Sequence, residues 1–167
     1  MISHIEVCNR FRAESAIYPR NTAIISITDI GSTDANIHGT PDRITPDRIL
    51  RLKFDDIDPK WWAEIGANVD KSRLFNDCIA RDIKLWTNRL RHSRQTYKLV
   101  IHCEMGISRS GAIAKAISEA TGLQIASTEK LFPNPYVFEI MREILREKSI
   151  LRTTDTNDSN KEQEFSR

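Results

Sequence analysis

Cys103, Arg109 and Ser110 are the residues of this chain whose types and spacing can do chemistry together. They lie in the stretch Lys98-Leu-Val-Ile-His-Cys-Glu-Met-Gly-Ile-Ser-Arg-Ser-Gly111. Leu99, Val100 and Ile101 form a short apolar run suited to a buried strand. Gly111 to Ala120 has helix-forming composition, with Ile113, Ala116, Ile117 and Ala120 expected on one face. A loop therefore joins a strand end to a helix start. There the unpaired N–H groups of the first helical turn and the helix dipole make a ready anion site. A thiol at the rim of such a site, beside the fixed cation of Arg109, is favoured in its thiolate form, and only the thiolate is a nucleophile. The planar fork of Arg109 can hold two oxygens of a phosphoryl group, a geometry that lysine cannot reproduce. Gly106 lets the loop turn tightly enough for its amides to converge. The loop Glu104, Met105, Gly106, Ile107, Ser108 and Arg109 thus reads as a phosphate cradle with Cys103 at its edge.

The same stretch, His-Cys-x-x-Gly-x-x-Arg-Ser between an apolar strand and a helix, resembles the signature of the cysteine-dependent protein phosphatases. The resemblance is to the tyrosine and dual-specificity members of small bacterial or phage type, and it extends from about Ile24 to Leu145. It implies a phosphoprotein phosphatase that acts on phosphotyrosine, and also on phosphoserine or phosphothreonine, through a cysteinyl-phosphate. It implies that Ser110 hydrogen-bonds the departing thiolate when water cleaves that intermediate; the alternative for Ser110 is a helix cap, and the two are compatible. His102 reads as orienting the loop rather than acting as a base. No metal or cofactor is needed.

Phosphoryl transfer to cysteine leaves an alkoxide or phenolate that takes a proton, so a carboxylic acid must approach from a second loop. Asp55, Asp56 and Asp58 are the candidates. The strand-then-acid pattern Leu50-Arg-Leu-Lys-Phe-Asp-Asp56 looks like the corresponding stretch of the dual-specificity phosphatases, which puts the acid on Asp56. Asp56 precedes Cys103 by 47 residues, a longer interval than in many members of that family. Extra residues around Trp61 to Asp70 could absorb the difference as a lid; Asp55 and Asp58 are the alternative acids, and each of the three could instead be a turn or helix-cap residue. Glu104, Met105 and Ile107 include no basic residue, whereas lipid-directed relatives tend to carry them there, so a phosphoprotein is the expected substrate. Two other readings are a phosphopeptide-binding module that has lost turnover, which would usually lack the cysteine or the acid, and a rhodanese-like sulfurtransferase, whose loop is commonly shorter and carries no Arg-Ser ending.

The elements that must position these residues set the fold expectation. The 167 residues suffice for one well-cored domain, taken as residues 1–151, with a polar tail at 152–167 that includes the lone aromatic Phe165. The formal charge of +2, from 25 basic and 23 acidic residues, demands neither nucleic acid nor membrane as a partner. No apolar run reaches the roughly 20 residues of a membrane span, and the first 20 residues lack the apolar core of a signal peptide. A cytoplasmic monomer acting on a phosphorylated protein is therefore expected. Cys8, Cys78 and Cys103 give an odd count without metal-ligand spacing, as fits a reducing compartment.

Strands are expected at Ile2–Val7, Thr22–Thr28 and Ile49–Phe54, besides the one leading to Cys103. The interval from Asp29 to Asp47, including His38, reads as a surface loop. Trp61 and Trp62 read first as a cap on a core edge and second as cover for a cleft. A long helix is expected over Ser72–Leu90, with Phe75, Ile79, Ile83, Trp86 and Leu90 as its core stripe and Cys78 packed on the same face. Gly122 should end the signature helix, Leu123 to Leu131 should bridge, and Asn134 and Pro135 should open a closing helix that turns Val137, Phe138, Met141, Ile144 and Leu145 inward. The sum is an α/β fold: a three-layer αβα sandwich around a mostly parallel sheet of four to five strands, like that of the dual-specificity phosphatases.

Overall fold

The computed structural model describes residues 1–37 and 45–147, so His38 and the tail lie outside the described residues. Five strands form one sheet: β1 (Ile2–Asn9), β2 (Thr22–Thr28), β3 (Ile49–Lys53), β4 (Tyr97–Cys103) and β5 (Ile125–Ser127). Their order is β3-β2-β4-β1-β5, and every pairing is parallel. Among the described residues five α-helices accompany them: α1 (Arg10–Ser15), α2 (Pro59–Glu64), α3 (Asp77–Arg91), α4 (Arg109–Thr121) and α5 (Pro135–Arg146).

The layering follows from strand parity, because successive side chains point to opposite faces. On β1, β2 and β4 the residues Ile5, Val7, Ala23, Ile25, Ile27, Leu99 and Ile101 join the large core beneath α3, α4 and α5. Their sequence neighbours Cys8, Ile24 and Val100 face the other way and pack with Ala13 of α1 and with Tyr18. With both faces covered, β2 is buried at all seven positions, and its run of isoleucines needs no alternation. The molecule is thus α/β with helices on both faces of an all-parallel sheet, and none of its described helices is long and apolar enough to cross a membrane.

Several elements differ from the sequence expectation. The segment read as one helix from Ser72 is a 3-10 turn at Lys71–Arg73, then Leu74 and Phe75 in extended chain, then α3 from Asp77. Phe75 packs its ring on Phe54 at 4.9 Å instead of occupying a helical stripe. Asn76 supplies the cap, its side-chain oxygen accepting the Ile79 N–H at 3.1 Å. Cys78 is exposed rather than packed. It precedes the buried Ile83 by five residues, about 140° around a helix at 100° per residue. Ala120 also faces solvent, whereas Ala112 and Ala114 are buried. The bridge after Gly122 contains β5, a three-residue edge strand too short for a periodicity signal. Gly122 does end α4, at φ 75°, and Asn134 does cap α5, accepting the Val137 N–H at 3.1 Å. In α5, Val137, Met141 and Ile144 are buried, while Phe138 and Leu145 are only half-buried.

On the α1 side of β4, His102 is fully buried with Nε2 2.8 Å from the Ser26 hydroxyl. Burial lowers its pKa from 6.5 to about 4, so it is neutral near pH 7. Between about pH 4 and 6.5 the unfolded chain binds the proton that the folded one refuses, and stability falls as pH drops through that window. The loss should reach about 3 kcal/mol by pH 4. Urea unfolding of wild type and His102→Gln from pH 7 to 4 should show an acid slope shallower by that amount in the variant; parallel slopes would refute it.

Candidate active site

In an all-parallel sheet the carboxyl ends of all strands lie on one edge, where the loops after β1, β2, β3 and β4 meet. The loop from Glu104 to Ser108 leaves the central strand β4 and runs straight into α4. Three of its carbonyls are held by neighbours: Glu104 O accepts the Arg10 N–H at 3.2 Å, Ile107 O that of Phe132 at 3.1 Å, and Ser108 O that of Asn134 at 3.3 Å. Among the described residues no protein acceptor meets the N–H groups of Met105 to Arg109. Free amides on one side and anchored carbonyls on the other make a concave donor surface at a helix N-terminus.

Gly106 makes this curvature possible. Its φ is +72°, and a Cβ there would lie 2.6 Å from the Cys8 carbonyl oxygen and closer still to Cys8 C and Asn9 N. The loop is seated directly on the end of β1. Arg10, the first residue of α1, clamps its other side: Nη1 reaches Glu104 Oε1 at 2.9 Å, Nε reaches Glu14 at 2.8 Å, and Nη2 donates to the Thr33 and Asp34 carbonyls.

Cys103 is 1% exposed and lies on the floor under the loop, not at its rim. Its Sγ is 3.1 Å from the Ser110 hydroxyl, which stands in the first turn of α4. The capping position of α4 belongs to Ser108, so Ser110 has no cap role. Arg109 is 3% exposed. Its Nη1 donates to Asp29 Oδ1 at 2.5 Å and to the Phe54 carbonyl at 2.7 Å, while its buried Nε has no partner among the described residues. A buried guanidinium whose Nε and Nη2 N–H groups have no protein acceptor among the described residues, with a free-amide loop beside it, is a site that an oxyanion completes.

The three aspartates after β3 separate by partner. Asp55 accepts the Ile30 N–H at 2.9 Å and is ion-paired with Arg73. Asp58 caps α2, accepting the Lys60 N–H at 3.0 Å. Both carboxylates are engaged in holding backbone. Asp56 instead faces the loop: its Oδ1 accepts from the Ser108 hydroxyl at 2.8 Å and from Asn134 Nδ2 at 2.9 Å, and neither bond uses Oδ2. Asp29 and Asn134 are the functional neighbours that sequence reasoning missed. Asp29 follows β2 as Asp55 follows β3, so the rule of acids past a strand end applied to it equally. Asn134 is recognisable only as a cap, because its second bond crosses from α5 to the loop after β3.

A cleft of about 580 Å³ opens over Arg109, lined by Asp29, Asp56, Ile57, Trp62, Val69 and Met105 among others. Trp62 is therefore a cleft wall and Trp61 is 55% exposed, so the pair caps no core edge. Among the described residues no three His, Cys, Asp or Glu side chains converge as a metal site. Burial also fixes the second sheet-face thiol: Cys8 is pushed up to about 11 and stays protonated. Comparison with family models, curated proteins and solved structures returned no match.

Gly106→Ala should unseat the loop, since the added methyl meets the backbone of β1 and left-handed φ costs a non-glycine residue about 1 kcal/mol or more. Calorimetric titration with tungstate should show affinity lowered at least tenfold, about 1.4 kcal/mol. Wild-type affinity in the variant would show that the cradle does not depend on this contact.

Proposed function

We propose that this chain is a cysteine-dependent phosphoric monoester hydrolase acting on phosphoproteins, phosphotyrosine above all, and that its αβα layering is that of the dual-specificity phosphatases. The observation that carries the reading is the grouping of Cys103, Ser110 and Arg109 at a loop whose amides, among the described residues, meet no protein acceptor, with Arg109 Nε buried and likewise unpartnered among them. The resemblance in sequence supports it independently, and three unpaired cysteines support a reducing, cytoplasmic setting.

The residues divide the reaction as follows. The phosphoryl group sits against the amides of Met105 to Arg109 with Arg109 gripping two oxygens, which places phosphorus above Cys103 Sγ. The thiolate attacks in line, the S–P bond forms, and the ester P–O bond breaks. Asp56, steered by Ser108 and Asn134, gives its proton to the leaving oxygen. Water then gives a proton back to Asp56 as its oxygen attacks phosphorus. The S–P bond breaks, and the Ser110 hydroxyl donates to the departing thiolate. His102, neutral and on the opposite face of β4, takes no proton in either step. Of the acids after β3, Asp56 is favoured because Asp55 and Asp58 are held by Arg73 and by the α2 backbone. A binding module without turnover would need neither the thiol nor a carboxylate aimed at the loop.

Hydrolysis of p-nitrophenyl phosphate, blocked by vanadate, should be present in the wild type. Cys103→Ser should abolish it while tungstate still binds, because a serine hydroxyl is not ionised at neutral pH; turnover within about tenfold of wild type would sink the assignment. Asp56→Asn should lose about 10²–10⁴-fold on a phosphotyrosine peptide, much less on an activated aryl phosphate, and should lose the alkaline limb of the pH–rate profile. Retention of rate and limb in Asp56→Asn would move the acid elsewhere on the loop or to Asp70.

A further inference from the structure

A second concavity, about 300 Å³, lies between α2 and α5 and is lined by Asp58, Lys60, Pro135, Tyr136, Glu139, Ile140 and Glu143. Its position ties it to the reaction cleft. Asp56 lines the cleft and Asp58 lines this groove, two residues on and at most about 7 Å away between Cα atoms. On the opposite wall, Asn134 holds Asp56 while Pro135, the next residue, lines the groove. The two depressions share one ridge.

The chemistry of the groove is mixed in a specific way. Pro135, Tyr136 and Ile140 offer apolar surface, and three carboxylates face one ammonium. Glu139 and Glu143 stand one turn apart on α5, a like-charge spacing that disfavours a helix. Glu139 has Arg142 at 3.8 Å, and Glu143 has no ion-pair partner among the described residues. The negative charge is thus unbalanced locally, in a chain whose formal charge is +2.

We propose that this groove seats the polypeptide flanking the phosphoresidue, and that it selects a flank carrying lysine or arginine beside an apolar side chain. The proposal rests on the phosphatase reading of the adjoining cleft. An extended chain advances about 3.3 Å per residue, so a residue two or three positions from the phosphoresidue reaches over the shared ridge. Its apolar side chain covers Tyr136 and Ile140, and a neighbouring cation meets Glu139 and Glu143. A flank rich in Asp or Glu is repelled by the same carboxylates, which makes the groove a filter as well as a seat.

Two phosphotyrosine peptides matched in apolar content, one with lysines and one with glutamates at positions two to four from the phosphotyrosine on either side, test this at low and high salt. The wild type should favour the lysine peptide roughly tenfold in kcat/KM at low ionic strength, with the preference shrinking as salt rises. In Glu139→Lys/Glu143→Lys the ratio should invert. Because each ratio is taken within one protein, partial loss of folded enzyme cancels. A wild type that hydrolyses both peptides equally, or a preference unchanged in the double variant, overturns the proposal and leaves the phosphatase reading standing. A wild type that hydrolyses neither peptide nor p-nitrophenyl phosphate overturns the phosphatase reading and the groove proposal with it.

Discussion

The rest of the site depends on how a guanidinium is kept almost wholly out of water. Removing a charge from solvent is costly unless it is paired and hydrogen-bonded, and Arg109 is held by Asp29 from the end of β2 and by the Phe54 carbonyl just past β3. These two partners occupy one nitrogen and fix the plane of the fork. The Nε and Nη2 N–H groups have no protein acceptor among the described residues, and Arg109 lines the cleft. The start of α4, the end of β2 and the end of β3 are thereby tied at one point, and the ring of Phe54, 6.0 Å from the guanidinium carbon, closes the apolar side.

A second tie runs through Asn134. One side chain caps α5 with its oxygen and donates to Asp56 with its nitrogen, while its own N–H holds the Ser108 carbonyl. The α5 helix packs against α4 through the large core, so the position of the Asp56 carboxylate is referred to the same framework that positions the Glu104–Ser108 loop. Precision of this kind comes from rigid elements rather than from a flexible loop.

Much of this was legible in the sequence where one local pattern fixes one local structure. The strand around Leu99–Ile101 and the helix around Gly111–Ala120, which extend in the structure to Tyr97–Cys103 and Arg109–Thr121, follow from adjacent residues, as do the αL end at Gly122 and the Asn134-Pro135 start. What could not be read are contacts that join distant segments. Asp29 could be read as an acid past a strand end, but its pairing with Arg109 exists only once β2 and β4 lie side by side, and Asn134 becomes more than a cap only when α5 faces the loop after β3. Cys78 misled because Phe75 was counted into a stripe that the helix does not contain; measured from the buried Ile83 within α3 the thiol lies about 140° away, on the exposed side. The tryptophan pair was ambiguous because α2 has no buried residue, so no core periodicity governs it.

The seam between β1 and the Glu104–Ser108 loop also constrains when the surroundings of Cys103 can be complete. Ile2 to Asn9 pair with Tyr97 to Cys103, Gly106 rests on Cys8 and Asn9, and Arg10 grips Glu104 across 94 residues of chain. Contacts of such sequence separation form late, because the closure entropy of the intervening loop must be overcome first. While the chain is still emerging during synthesis, β1 waits for a partner made about ninety residues later, and Asn134 arrives later again. Until then Cys103 stands without the loop that covers it, and its surroundings are complete only when both ends of the fold have met.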